Sequence, residues 1–153
     1  MNTDKLNRSL TLLANIGVIA GIVFLAVEIR QNTEMIRSQT RDSITGKQIE
    51  MFGWLATSAE NSRVRAQGNR LELDPDSPEA AQYGWMIAGT MRMWENEWYQ
   101  YQRGLFEPEE FEPRINIWRA VMNNPGFKRQ WESTQGNAFS PEFAALISSL
   151  IED

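Results

Sequence analysis

The side chains in this chain that could move a proton or hold a metal are almost all carboxylates. There are 20 Asp and Glu residues and neither His nor Cys. Without His, the usual neutral-pH general base and the imidazole ligands of zinc, copper and haem iron are missing. Without Cys, there is no thiolate nucleophile and no disulfide. Ser-His-Asp and Cys-His nucleophiles are therefore excluded, and any catalysis would run on carboxylates, Lys or Tyr.

The carboxylates do not form a pattern that chemistry requires. Glu95 and Glu97 are two apart, so on a helix they point to different faces. Glu107, Glu109, Glu110 and Glu112 gather at a helix start, where the macrodipole favours negative charge. A carboxylate-bridged di-iron bundle uses Glu-x-x-His pairs, and the histidines are missing. Asp74 and Asp76 in L-D-P-D-S-P lack the Gly and terminal Glu of a calcium loop and read as turn formers. No Gly-rich phosphate loop is present. The expectation is a protein that is not an enzyme, with no catalytic, cofactor-binding or metal-binding residues and no cofactor. A net charge of −5 with scattered Lys and Arg gives no basic face for nucleic acid.

The aromatic residues are more suggestive. Trp85, Trp94, Trp98, Tyr99, Tyr101, Trp118 and Trp131 exceed what packing a domain of this size requires, and such residues dominate interfaces. They could also line a pocket for a flat or cationic ligand, with Glu95 at its mouth. Tyr83, Ile87, Met91, Trp94, Trp98, Tyr101 and Leu105 recur at spacings of three and four, which is a core-facing helical stripe. Trp85 and Tyr99 fall off that stripe and are the better candidates for a partner or lipid headgroups.

These residues must be positioned by helices, and the first one decides the organisation. Ser9 to Val27 contains no charged residue, and a helix of this length rises about 28 Å, close to the ~30 Å hydrocarbon core of a bilayer. It reads as a transmembrane helix. The rival, a cleaved signal peptide with Lys5 and Arg8 as its basic region, has too long an apolar run and no A-x-A-like site. A helix buried in a soluble core is the other alternative. Arg30, Arg37, Arg41 and Lys47 follow the span against Lys5 and Arg8 before it, which places the C-terminal domain in the cytoplasm. Within the span, Gly17 and Gly21 form a G-x-x-x-G, and Asn15 offers an interhelical hydrogen bond.

No Gly or Pro interrupts residues 22–45, so the helix is expected to run on. Ile29, Ile36, Ile44, Met51 and Leu55 recur with a period of about 3.7, a narrow stripe. That stripe either lies on the protein's own domain or continues the Asn15, Gly17 and Gly21 face as a self-association surface. Phe52 and Trp54 lie too far along a straight helix to reach the bilayer. The expected organisation is a short segment 1–8, a span 9–27, a helical extension 28–60, a connector 61–77 and an α-helical soluble domain 78–153. Ser77-Pro78-Glu79 signals a helix start and Gly104 a helix end. Pro108, Pro125 and Pro141 mark three further starts, and Pro113 suggests a bend or restart. No strand periodicity is visible. The fold class is all-α.

A-N-I-G-V-I-A-G-I-V-F-L-A-V-E-I-R-Q-N (14–32), M-W-E-N-E-W-Y-Q-Y-Q-R-G-L-F (93–106) and N-P-G-F-K-R-Q-W (124–131) together give the resemblance. The chain resembles a family of small uncharacterised bacterial single-pass membrane proteins with an N-terminal span and an α-helical tail. The resemblance implies a bacterial inner-membrane location and brings no activity, cofactor or site residues. Two functional readings follow. In the first, the protein is a membrane-anchored structural or interaction protein, a homo-oligomer or an accessory subunit of a larger membrane complex. Its partners would be the bilayer and itself or an integral complex, through Asn15, Gly17, Gly21, Ile29, Ile36 and Ile44, with Trp85, Tyr99, Arg30, Arg37 and Arg41 as further partner or lipid contacts. In the second, it is a membrane-tethered sensory or small-ligand-binding module with an aromatic-lined helical domain.

Overall fold

Apolar positions at helical spacing, separated by Ser-Pro and Asn-Pro punctuation, build a chain of helices in the computed structural model, which describes residues 3–134 and 138–151. The expected segments 1–8 and 78–153 each include a few residues outside that set. Six helices occur among the described residues: α1 (Thr3–Thr57), α2 (Ala59–Asn69), α3 (Pro78–Gln102), α4 (Pro108–Met122), α5 (Pro125–Thr134) and α6 (Pro141–Ser149), with no strand. The all-α class is the one the sequence predicts. The chain divides into two compact units, Met1–Gln39 and Thr40–Asp153.

The first unit consists of α1 alone over its described residues. Every residue from Thr3 to Gln39 is exposed. Among the described residues, α1 is the one helix long and apolar enough to cross a membrane, and none of its apolar window is buried.

In the second unit α1 ends at Thr57, and α2 begins two residues later. The sequence predicts a connector over 61–77. Residues 61–69 are instead helix, and the connector shrinks to 70–77. Asn61 and Ser62, which resemble turn formers, act as capping residues. Ser58 accepts a hydrogen bond from the Asn61 N–H at 3.1 Å and caps α2. The Asn61 amide donates to the Trp54 carbonyl at 3.2 Å, and the Ser62 hydroxyl donates to the Leu55 carbonyl. Two carbonyls that the end of α1 leaves without helical partners are satisfied in this way. At its other end α2 closes with paired bonds from Glu72 N–H to Gln67 and from Leu71 N–H to Gly68. That motif usually places Gly in the left-handed position, but here Leu71 holds φ 60°. α3 closes with the same bonds and Gly104 at φ 70°, where the sequence places its end.

Ser77 caps α3 by accepting from the Ala80 N–H at 3.1 Å, with Pro78 in the first turn. Pro108, Pro125 and Pro141 open α4, α5 and α6. Pro113 does not restart the chain in a new helix. It lies inside a helix that is unbroken to Met122. The hydrogen bond it removes would have reached Glu109, whose residue is exposed in the first turn, where water can replace it.

The core of this unit is aromatic. Trp94 of α3 stacks on Trp118 of α4 with centroids 5.2 Å apart, and Phe111 meets Trp118 edge-on at 5.5 Å. Phe127, Trp131, Phe143 and Ile147 bring α5 and α6 into the same cluster. α2, α3 and α5 meet where side chains are absent. A Cβ on Gly68 would overlap the Tyr83 ring, and one on Gly126 would overlap the Gly68 carbonyl and the Tyr83 hydroxyl. Tyr83 donates to the Asn69 side chain at 3.0 Å, and burial pushes its phenol up to about 12.

Candidate functional site

A concave feature lies wholly within the second unit. A groove of about 640 Å³ runs between residues 44–55 of α1, the start of α2 and the Gln82–Asn96 stretch of α3. Its apolar lining includes Ile44, Leu55 and three thioethers, Met51, Met86 and Met93. Two tryptophans that line it are left to solvent, Trp54 at 61% and Trp85 at 78% exposure. Thr90 donates its hydroxyl hydrogen to the Met86 carbonyl at 2.8 Å, and the Met51 sulfur lies 3.7 Å from the same hydroxyl oxygen. Gly89 also lines the groove, and a Cβ built there would meet nothing within 4 Å. Its missing side chain is therefore not required by packing.

The polar groups of the groove differ in their commitments. Arg92 is occupied: it bonds Glu95 at 2.6 Å and the Ala138 carbonyl, and lies over the Phe139 ring at 4.7 Å. Lys47 and Glu50 are exposed and of opposite sign. Asn61 accepts from Gln82 at 2.9 Å. Arg65 is the exception. Its guanidinium lies over the Phe127 ring at 4.6 Å, and burial lowers its pKa against a smaller opposing effect of Tyr83. Among the described residues no carboxylate pairs with it.

Behind the groove lies a charge that the sequence does not reveal. Glu97, read as one of two unpaired carboxylates on α3, is fully buried. It accepts from Gln48 of α1 at 2.7 Å and from Arg114 of α4 at 3.2 Å, tying three helices together. Burial raises its pKa, and the Arg114 and Gln48 contacts only partly oppose that shift. Glu95 has a different role. Its carboxylate accepts the Ser140 N–H at 2.7 Å, at the start of α6, where no side chain of α6 itself does so.

The residues expected to form a self-association face fall in two places. Asn15, Gly17, Gly21, Ile29 and Ile36 are exposed along α1 in the first unit, and nothing lies within 4 Å of a Cβ on either glycine. Ile44 does not join them. At 2% exposure it belongs to the core of the second unit, because its register on α1 turns it into that core rather than to solvent. Arg30 pairs with Glu34 at 3.1 Å, Arg41 with Glu110 at 2.7 Å, and Arg37 is also engaged. Tyr99 is half exposed, with Arg103 over its ring at 5.1 Å.

The tryptophans expected to line a pocket together separate. Trp94, Trp118 and Trp131 are sealed in the core and Trp98 packs against it, which leaves Trp85 in the groove. Arg65, Met86, Gly89 and Met93 are lining residues that sequence reasoning does not single out. A signal exists for some of them: Trp85, Gly89 and Met93 repeat at intervals of four beside the core stripe. No protein-family model, no curated protein and no solved structure matches the chain.

Proposed function

We propose that this protein is a membrane-anchored structural or interaction protein that associates with itself or serves as an accessory subunit of a larger membrane complex, and that it is not an enzyme. One observation carries the reading. Ser9–Val27 has no charge, and all nineteen of its residues are exposed. Apolar surface left in water is unfavourable by about 25 cal/mol per Å², so a helix of this kind belongs among acyl chains or other spans. Gly17 and Gly21, open on the same helix, would let a second backbone approach closely, and Asn15 would bond across that contact. Its setting is a bacterial inner membrane, from the family resemblance, with the helical domain in the cytoplasm, from the excess of Lys and Arg after the span. Nucleic acid is not among its partners.

Replacing both Gly17 and Gly21 with Leu tests the reading. Light scattering on the detergent-solubilised protein is expected to report a smaller particle than the parent. An unchanged mass from a parent shown to be oligomeric would refute the glycine face.

The groove favours a second reading, that of a membrane-tethered module that takes up a small apolar molecule. Its volume lies in the range of roughly 300–1,000 Å³ typical of ligand sites, and its lining is apolar with a few polar groups.

A further inference from the structure

We infer that the groove of the second unit binds a single-chain amphiphile bearing one carboxylate, with its chain against Met51, Met86 and Met93 and its headgroup on Arg65. The inference rests on the ligand-binding reading and assigns the chemical class of the ligand.

Three features converge on that class. The first is the lining. Three unbranched thioethers adapt to a flexible chain with no fixed shape, and Trp54 and Trp85 stand exposed beside them, ready to cover it. The second is the space itself. Gly in a helix interior is unfavourable compared with Ala, and Gly89 has no neighbour that requires it. What its absent side chain does provide is room in the groove. The third is the charge. Arg65 lies over the Phe127 ring at 4.6 Å, a contact that engages no carboxylate and leaves N–H groups for a bidentate one. No carboxylate among the described residues takes that place, and the cation is partly desolvated. Lys47 and Glu50 offset each other nearby, so Arg65 leaves one positive charge to be balanced and a dianionic headgroup is disfavoured.

The test uses the full-length protein in phosphatidylcholine vesicles, titrated with bromine-labelled dodecanoic acid or bromine-labelled dodecanol. Tryptophan quenching is the readout, since bromine quenches on contact. The acid is expected to quench saturably, and the alcohol to bind about tenfold more weakly, on the scale of a charge-assisted hydrogen bond. Arg65→Gln should weaken the acid by a similar factor and leave the alcohol unchanged. Gly89→Leu, placed where nothing crowds the backbone, should remove saturable quenching by both while the protein stays folded by circular dichroism. Equal binding of acid and alcohol, unaffected by Arg65→Gln, would overturn the carboxylate assignment while leaving a ligand site standing. Absence of saturable quenching by either compound would overturn both. If quenching is absent and Gly89→Leu lowers the particle mass, a second copy of the chain occupies the groove and the inference fails.

Discussion

Glu95 and Glu97 lie two positions apart on α3, yet burial and partners set them on opposite courses with pH. Glu97 is held above its ordinary value of 4.5 because burial outweighs the help it receives from Arg114 and Gln48. A carboxyl raised in the folded state binds its proton more tightly there than when unfolded. Its contribution to stability is complete below about 4.5 and is lost as pH rises through the folded value. Glu97→Gln should remove that loss, so the melting temperature of the parent should decline relative to the variant as pH is raised from 4 toward neutrality. Glu97→Ala should cost about 3 kcal/mol at neutral pH, since it leaves the largely buried Arg114 without its counter-charge. Thermal unfolding across a pH series checks both. Glu95 behaves in the other sense. Burial pushes it up, but the Ser140 N–H and Arg92 together hold it below 4.5, so its contribution is present at neutral pH and lost on acidification through the folded value.

At the scale of elements, the joints depend on groups borrowed across the fold. The N-terminus of α6 receives at Ser140 the carboxylate that a Glu or Gln three residues on would otherwise supply; Phe143 stands at that position and is buried in the core. Glu95→Ala should therefore speed amide hydrogen exchange at Ser140 and in the first turn of α6, while leaving α3 protected. No change at Ser140 would contradict the assignment. The contact of α2, α3 and α5 is governed by what is missing. Gly126→Ala should cost about 2 kcal/mol by overpacking, because the new methyl meets the Gly68 backbone and the Tyr83 hydroxyl, neither of which can retreat cheaply. Chemical unfolding of the variant measures it. Helix starts were legible because their signals are local: Ser77 and the prolines act within one turn. The start of α2 was not, because Asn61 and Ser62 have turn-forming side chains whose donors reach back seven residues to carbonyls of α1.

For the whole molecule, the lack of cysteine in the sequence gives a direct test of topology. A single Cys at Glu60, exposed in α2, is expected to resist a membrane-impermeant maleimide in intact spheroplasts and to react once the cells are lysed. Labelling of intact spheroplasts would reverse the orientation drawn from the distribution of Lys and Arg.

Amphipathic spacing, capping residues and an uncharged run of nineteen act over a few residues of chain, and from them the sequence by itself determined the all-α class, the starts of α3, α4, α5 and α6, the aromatic core stripe and the long apolar N-terminal helix. Which exposed or buried neighbour each side chain meets depends on residues far away in sequence. Only the tertiary structure decided that Ile44 belongs to the core, that Glu97 is buried between Gln48 and Arg114, and that Trp54, Trp85 and Arg65 share one groove. The reason is physical: periodicity identifies the apolar side of a helix, whereas the partner across a contact is chosen by how several helices pack together.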